Sequence, residues 1–389
     1  MKRSLKLIGL VGLMAIMLTL VACSEETPAP AATALPVPTA KVIVEQVEVE
    51  KIVEVEVEVE VVVTATPEPT AVPPAEVKIY SFSNSSPHVT EIDAATNTVI
   101  RTSDITDLVK LAWNDDGNYF DGQDLWLTGK DSDAKTSELI FLNLTSLEVS
   151  GRLDLGSNPA NAYLGGGLST KGEVFVGLQG NMDQAGEIVV VKASTKEIVD
   201  RIPVNQIACD VDIQVGTDGI ERLFTPNQKM DAVQNFDATT RELIATADMP
   251  EGSNPFMLTA APNGKHIWVQ DGSAGTNTVL DSKTLAVVAT IPTGEGPVVA
   301  SFSPDGKYGY VGHYKATTMT VIDAVTFEIV AQVETGPSPS KIAVHPNGNF
   351  VYTLVSKENA IAVIDTSTWK VTTKIYVESS PGGLFINSN

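Results

Sequence analysis

The chain carries its organising unit between Gly296 and Asp323: Pro297-Val-Val-Ala-Ser-Phe-Ser-Pro-Asp-Gly-Lys307, then Tyr308-Gly-Tyr-Val-Gly312, then Met319-Thr-Val-Ile-Asp323. An apolar run meets Pro-Asp-Gly, where glycine supplies the positive φ that a tight hairpin needs. Two further β-branched and aromatic runs follow, and Ala324 to Val333 supplies a fourth. Four short strands cannot bury both of their faces alone, so such a unit must stack on copies of itself.

Copies are present. An apolar strand ending near an acidic or amide residue, followed by a Thr- or Ser-bearing turn, recurs at Ile92-Asp93, Leu142-Asn143, Val191-Lys192, Phe236-Asp237, Leu280-Asp281, Ile322-Asp323 and Ile364-Asp365. Successive anchors, taken at 93, 143, 192, 237, 281, 323 and 365, stand 50, 49, 45, 44, 42 and 42 residues apart. A second marker lies upstream of the anchors, at Lys171-Gly, Asp218-Gly, Asn263-Gly, Asp305-Gly and Asn347-Gly; the last three stand 18 residues before their anchors. A third opens the units, at Ser157-Asn-Pro, Ser253-Asn-Pro, Glu295-Gly-Pro, Ser338-Pro-Ser and Ser379-Ser-Pro. Seven units of four strands at this spacing predict an all-β, seven-bladed β-propeller of four-stranded antiparallel blades over 77–389. Gly382 to Ile386 reads as a first strand and Val77 to Phe82 as a second, so the ring is expected to close by pairing them.

With these motifs in place, the units resemble the YVTN-type β-propeller family, in which an apolar strand, Pro-Asp-Gly-Lys, Tyr-Val-Thr-Asn and Ile-Asp-Thr succeed one another. The resemblance covers 77–389 and is strongest from 253 to 377. Trp268-Val-Gln-Asp271, Tyr310-Val-Gly-His313 and Tyr352-Thr-Leu-Val355 stand where the family has Tyr-Val-Thr-Asn. The family implies a seven-bladed propeller, often outside the cytoplasm, and no single activity.

Residues 1–22 read as a targeting leader. Lys2, Arg3 and Lys6 precede the apolar run Leu7 to Val21, too short for an ordinary membrane span, which ends in Leu20-Val-Ala-Cys23. This end resembles the lipobox of bacterial lipoproteins, which implies acylation of Cys23 and an envelope location facing away from the cytoplasm. Residues 23–76 read as an anchored stalk, with Pro-rich pieces flanking Val53-Glu-Val-Glu-Val-Glu-Val-Glu-Val-Val-Val63. Period-two alternation of β-branched residues favours extended backbone. Self-pairing in register would oppose Glu to Glu, so a solvated spacer is expected, with strand addition to a partner as the alternative.

The formal net charge is −22, and loss of a leader bearing three cations leaves the mature chain near −25. Such a surface repels phosphate backbones and anionic lipid headgroups, which argues against nucleic acid as a partner. If Cys23 is acylated, Cys209 is a lone thiol. His88, His266, His313 and His345 show no metal-ligand spacing, and no haem, phosphate-loop, zincin or serine-hydrolase motif occurs, so no catalytic residue, metal or cofactor is assigned.

Connectivity places blade-to-blade turns and second-to-third-strand loops on one face. That face collects His313, Tyr314, Lys315, Asp271, Asn227, Gln228, Lys229, Gln179, Asn181, Ser356 and Lys357. His313, Tyr314, Asp271, Lys229, Ser356 and Lys357 are the candidate ligand contacts there, the alternative being ordinary solvated loop tips. Asn114 to Asp124 and Asp131-Ser-Asp133 are acidic; without the EF-hand spacing they read as an expanded turn before a calcium site. Trp113, Trp126, Trp268 and Trp369 are placed on strands, in the core.

The leading expectation is a surface lipoprotein presenting the propeller as a binding module for an extracellular protein, a glycan or a small molecule. One alternative is an enzyme resembling lactonase-type or quinoprotein-associated propellers, with its site at the channel mouth. Another is a structural envelope protein assembling through the Val/Glu stalk.

Overall fold

A computed structural model describes residues 76–389 apart from 84–85, 87, 106–117, 132–135, 158–160, 181–183, 205–209, 380 and 389. The expected leader, Cys23, the stalk up to residue 75, Trp113, Asn181, Cys209 and part of both acidic loops lie outside the described residues.

Seven four-stranded antiparallel sheets form the blades of a propeller. Given from the innermost strand outward, blade one is Pro381–Ser388, Val77–Ser83, His88–Asp93 and Thr98–Asp104. Blade two is Tyr119–Phe120, Asp124–Asp131, Thr136–Asn143 and Glu148–Ser157, and blade three Ala162–Leu164, Glu173–Leu178, Glu187–Lys192 and Glu197–Pro203. Blade four is Asp212–Val215, Glu221–Asn227, Ala232–Asp237 and Leu243–Asp248, and blade five Pro255–Ala260, His266–Asp271, Thr276–Asp281 and Val287–Pro292. Blade six is Pro297–Phe302, Tyr308–His313, Thr318–Asp323 and Ile329–Glu334, and blade seven Pro339–Val344, Phe350–Val355, Ala360–Asp365 and Lys370–Tyr376.

Local chemistry sets each blade. Gly172, Gly219, Gly264, Gly306 and Gly348 take φ between 68° and 78° in the first hairpin turn, as their Lys/Asp/Asn-Gly pairs predict. In the last hairpin the anchor side chain accepts from the turn amides: Asp323 Oδ1 from Val325 N at 2.9 Å and Thr326 N at 2.8 Å, and Asp281 Oδ1 from Lys283 N at 3.0 Å and Thr284 N at 2.7 Å. Four residues past each anchor the chain turns left-handed, at Asn97, Leu147, Lys196, Arg241, Leu285, Phe327 and Trp369. A register shift follows in all seven blades, as between Val321 and Ile322. A bulge of this kind sharpens the twist between the third and outermost strands. Trp369 therefore sits in a turn, contrary to the strand expected for it, because its position is the left-handed one; it packs edge-on against Tyr308 at 5.1 Å. Trp126 and Trp268 lie on strands and are fully buried, as expected.

The core lies between blades. The second strand of blade three is buried at every position, whereas the outermost strand of blade one is largely exposed. Tyr352 and Ile361 of blade seven pack with Ile79, Ile92 and Leu384 of blade one. Pro381–Ser388 pairs with Val77–Ser83 from Val77↔Ser388 to Ser83↔Pro381, so the ring closes as the sequence predicts. One face carries the Gly and anchored turns, and the other, the loop face, carries the blade-to-blade turns.

Candidate functional site on the loop face

The last residue of the second strand stands where each blade enters the loop face. Asn227, Asp271 and His313 occupy this position in blades four, five and six, and all three are buried. Each clasps the loop that follows. Asn227 Oδ1 accepts from Met230 N at 3.1 Å. Asp271 Oδ2 accepts from Thr276 Oγ1 at 2.9 Å and Thr278 Oγ1 at 2.6 Å. His313 Nδ1 lies 2.9 Å from the Thr318 carbonyl, which can only accept, so Nδ1 carries the proton and donates.

Burial lowers the His313 pKa, with the Thr318 carbonyl opposing it. No carboxylate or guanidinium acts on this imidazole among the described residues, so no acid–base dyad is formed there. Burial pushes Asp271 up to about 6. Both residues therefore hold the loops from below.

Tyr314, the next residue along, does reach a cavity. Its N–H donates to Gly296 O at 3.0 Å, and a Cβ on Gly296 would stand 2.8 Å from Tyr314 Cε1. Glycine, at φ 66°, thus lets the ring lie flat on the blade-to-blade turn. Tyr314, Phe256 and Val298 wall a cavity of about 340 Å³, and Gln228, Asn254 and Gly272 complete its lining. Asn254 is held by its neighbours: its N–H donates to Asp231 Oδ1 at 2.8 Å, and its carbonyl accepts from Gly272 N at 3.2 Å. Lys315 Nζ stands 4.9 Å from the Tyr314 ring centroid, a cation–π contact that steadies the ring. The result is an aromatic and aliphatic pocket with two amide side chains, the usual composition of a small-ligand site.

The remaining candidates stand apart from this cavity. Lys229 is exposed beside Gln228, and Gln179 of blade three is half-buried. Ser356 and Lys357 lie in a single 3₁₀ turn of blade seven, where Ser356 Oγ meets Ser340 Oγ at 2.8 Å and Lys357 is exposed.

Sequence reasoning missed two carboxylates in the channel wall. Asp210 lies two residues before Asp212, the first residue of the inner strand of blade four, and both carboxylates reach the same neighbouring strand. Asp210 Oδ2 accepts from Leu258 N at 3.1 Å, and Asp212 Oδ2 from Ala260 N at 2.8 Å. They reach from blade four to the inner edge of blade five, whose amides have no further strand to pair with. They line a channel cavity of about 230 Å³ formed by the inner strands of neighbouring blades. Desolvation pushes Asp212 up to about 7. The period-two spacing Asp-Val-Asp was the available signal.

In blade two, Asp121 forms the first hairpin turn and accepts from Asp124 N at 2.7 Å and Trp126 Nε1 at 3.0 Å. Lys196 of blade three stands 2.6 Å from Asp124 and 3.4 Å from Asp121, so these carboxylates already have a cation. Among the described residues no three His, Cys, Asp or Glu side chains are grouped to hold a metal.

A family model for the YNCE-like beta-propeller matches residues 175–347, from blade three into blade seven. No curated protein matches the chain. Among solved structures, the periplasmic gluconolactonase of Pseudomonas aeruginosa is 18% identical with a TM-score of 0.61, over 80% of this chain and 98% of that one. A proposed 6-phosphogluconolactonase from Bacteroides fragilis is 14% identical with a TM-score of 0.62, over 82% and 100%. The hydrazine synthase of Kuenenia stuttgartiensis is 18% identical with a TM-score of 0.56, over 78% and 99%. At these identities the shared feature is the propeller.

Proposed function

We propose that the protein is a ligand-binding propeller held outside the cytoplasm by a lipid on Cys23, with the loop-face cavity as its binding site. The observation that carries this reading is the cavity of about 340 Å³, walled by Tyr314, Phe256 and Val298 and edged by Gln228 and Asn254. Aromatic walls bury a ring or an apolar chain, and the amides select its orientation. Its occupant is a small molecule, a glycan residue or a side chain of an extracellular protein. The leader ending in Cys23 supports an envelope address, and the net charge of −22 suits a solvated, non-adsorbing domain.

The experiment is a thermal-shift screen of the purified protein against aromatic metabolites, glycans and peptides, repeated on Tyr314→Ala and Phe256→Ala. Stabilising compounds whose effect is lost in both variants support the reading. Compounds that stabilise all three proteins equally refute the site.

A second reading, hydrolysis of a sugar lactone, is favoured by the likeness to the Pseudomonas aeruginosa gluconolactonase and by Asp212. A carboxyl raised to about 7 is poised for proton transfer near neutral pH. Both of its oxygens already accept backbone N–H groups, from Ile213 and Ala260, each at 2.8 Å. Titration of acid released from gluconolactone, with Asp212→Asn as the comparison, separates this reading from binding alone.

A further inference from the structure

Three tyrosines share one position in the blade repeat, three residues before the end of the second strand: Tyr80, Tyr310 and Tyr352. All are buried, at 2%, 0% and 0% exposure. Two have partners. The Tyr80 hydroxyl donates to Glu91 Oε1 at 3.4 Å, and that of Tyr352 to Ala94 O at 3.5 Å, in the anchored turn of the next blade. The Tyr310 hydroxyl is buried and has none among the described residues. A phenol removed from water without a partner is costly, so nature rarely leaves one so.

The reason is visible at the seam between blades six and seven. Thr366 stands one residue past anchor Asp365, as Ala94 stands one past Asp93. Where Ala94 closes over Tyr352, here a cavity of about 310 Å³ has both Tyr310 and Thr366 in its lining. It lies on the face of the Gly and anchored turns, opposite the loop face. Asp305 and Lys307 add one charge of each sign, and Asn347 and Asn349 add amides. The Tyr308 ring meets Trp369 edge-on at 5.1 Å and carries the Lys307 ammonium 4.8 Å from its centroid. Asp305 Oδ1 is taken by Ser303 Oγ at 2.6 Å and Lys307 N at 3.0 Å.

We infer that this seam is a second binding site, for a neutral saccharide, with the Tyr310 hydroxyl as its buried hydrogen-bond partner. Sugar hydroxyls both donate and accept, and the lining mixes acceptors with amide, ammonium and hydroxyl donors. The lining charges cancel, which leaves no cradle for a phosphate or carboxylate. The Lys307 ammonium held over Tyr308 is a donor for a sugar hydroxyl, and the volume falls at the lower end of the ~300–1,000 Å³ range of small-ligand sites.

The test is ligand-observed saturation-transfer NMR on the purified protein with glucose, galactose, mannose and maltose, and with glucose 6-phosphate as the anionic comparison. At least one neutral sugar is expected to bind, and Tyr310→Phe to weaken it about 3- to 10-fold, the worth of one hydrogen bond. Sugar binding that is lost in Tyr314→Ala and kept in Tyr310→Phe would belong to the loop face and would overturn the inference. The inference is overturned if no neutral sugar gives a signal, if glucose 6-phosphate binds more tightly than glucose, or if Tyr310→Phe binds as the parent does. A urea midpoint supplies a second check. Tyr310→Phe removes an unpaired hydroxyl and should unfold at the parent's urea concentration or above, and a lower midpoint would mean that a protein group already uses it.

Discussion

Gly309→Ala tests whether blades five and six pack as described. A Cβ at residue 309 would stand 2.4 and 2.5 Å from Trp268 Cζ3 and Cη2. Carbon atoms in contact prefer ~3.5–4.0 Å, so the indole must retreat by about 1 Å. It has nowhere to go. Trp268 is fully buried, meets Phe302 edge-on at 5.0 Å, and packs among Val279, Val311 and Ile322. Overpacking of this kind costs about 1–3 kcal/mol. Replacing glycine removes freedom from the unfolded chain and returns about 0.4–1 kcal/mol. The net expectation is a loss of about 1–2 kcal/mol, read as a lower urea midpoint with an unchanged slope. Trp268→Phe makes room at the same seam, so Gly309→Ala should cost less in that background. A double-mutant cycle measures the difference, expected at about 1 kcal/mol for residues in contact. Equal costs in both backgrounds, or a parental midpoint for Gly309→Ala, would refute the packing.

Three further outcomes follow. Asp323→Ala removes the oxygen that accepts from two turn amides of blade six and should cost about 1 kcal/mol in a urea melt, whereas Asp323→Asn keeps an acceptor and should cost less. Removing 381–388 takes the inner strand from Val77–Ser83 and leaves an open ring; gel filtration should then show aggregates, and the cooperative melt should be lost. Stability should also fall as pH rises through about 6 and then about 7, because burial raises Asp271 and Asp212 to those values above their unfolded ones. Protonation of these two groups favours the fold, fully so below the unfolded range near ~4. Asp237, Asp281 and Asp323 act oppositely, since turn amides lower their pKa and their contribution is lost in acid. Thermal melts from acid to mild alkali should therefore peak near ~4, and Asp212→Asn should flatten the alkaline side.

The blades were legible because each repeats a local rule. An Asp-Gly pair dictates one turn, an anchor carboxylate dictates another, and apolar runs between them can only be buried strands. The left-handed residue after each anchor was not legible: Asn97, Leu147, Lys196, Arg241, Leu285, Phe327 and Trp369 share no side-chain chemistry, only a place in a bulged hairpin. Trp369 was misplaced for that reason. The candidate site was harder still. His313 and Tyr314 are adjacent in sequence, yet one is buried under the loop and the other walls a cavity, and the difference lies in the packing of Gly296 and the neighbouring blade. Asp212 and Tyr310 carried period-two and repeat-position signals, but their significance depends on which partner the next blade supplies or withholds.

The most direct test of the loop-face site is to fill it. Val298 is buried at 3% exposure in the wall of the cavity, and Val298→Phe would place a ring in the empty volume with the outer surface left as it is. Calorimetric titration of a compound found in the screen should then show binding to the parent and none to Val298→Phe, with both proteins folded and melting cooperatively. Undiminished binding to the filled variant would contradict the assignment.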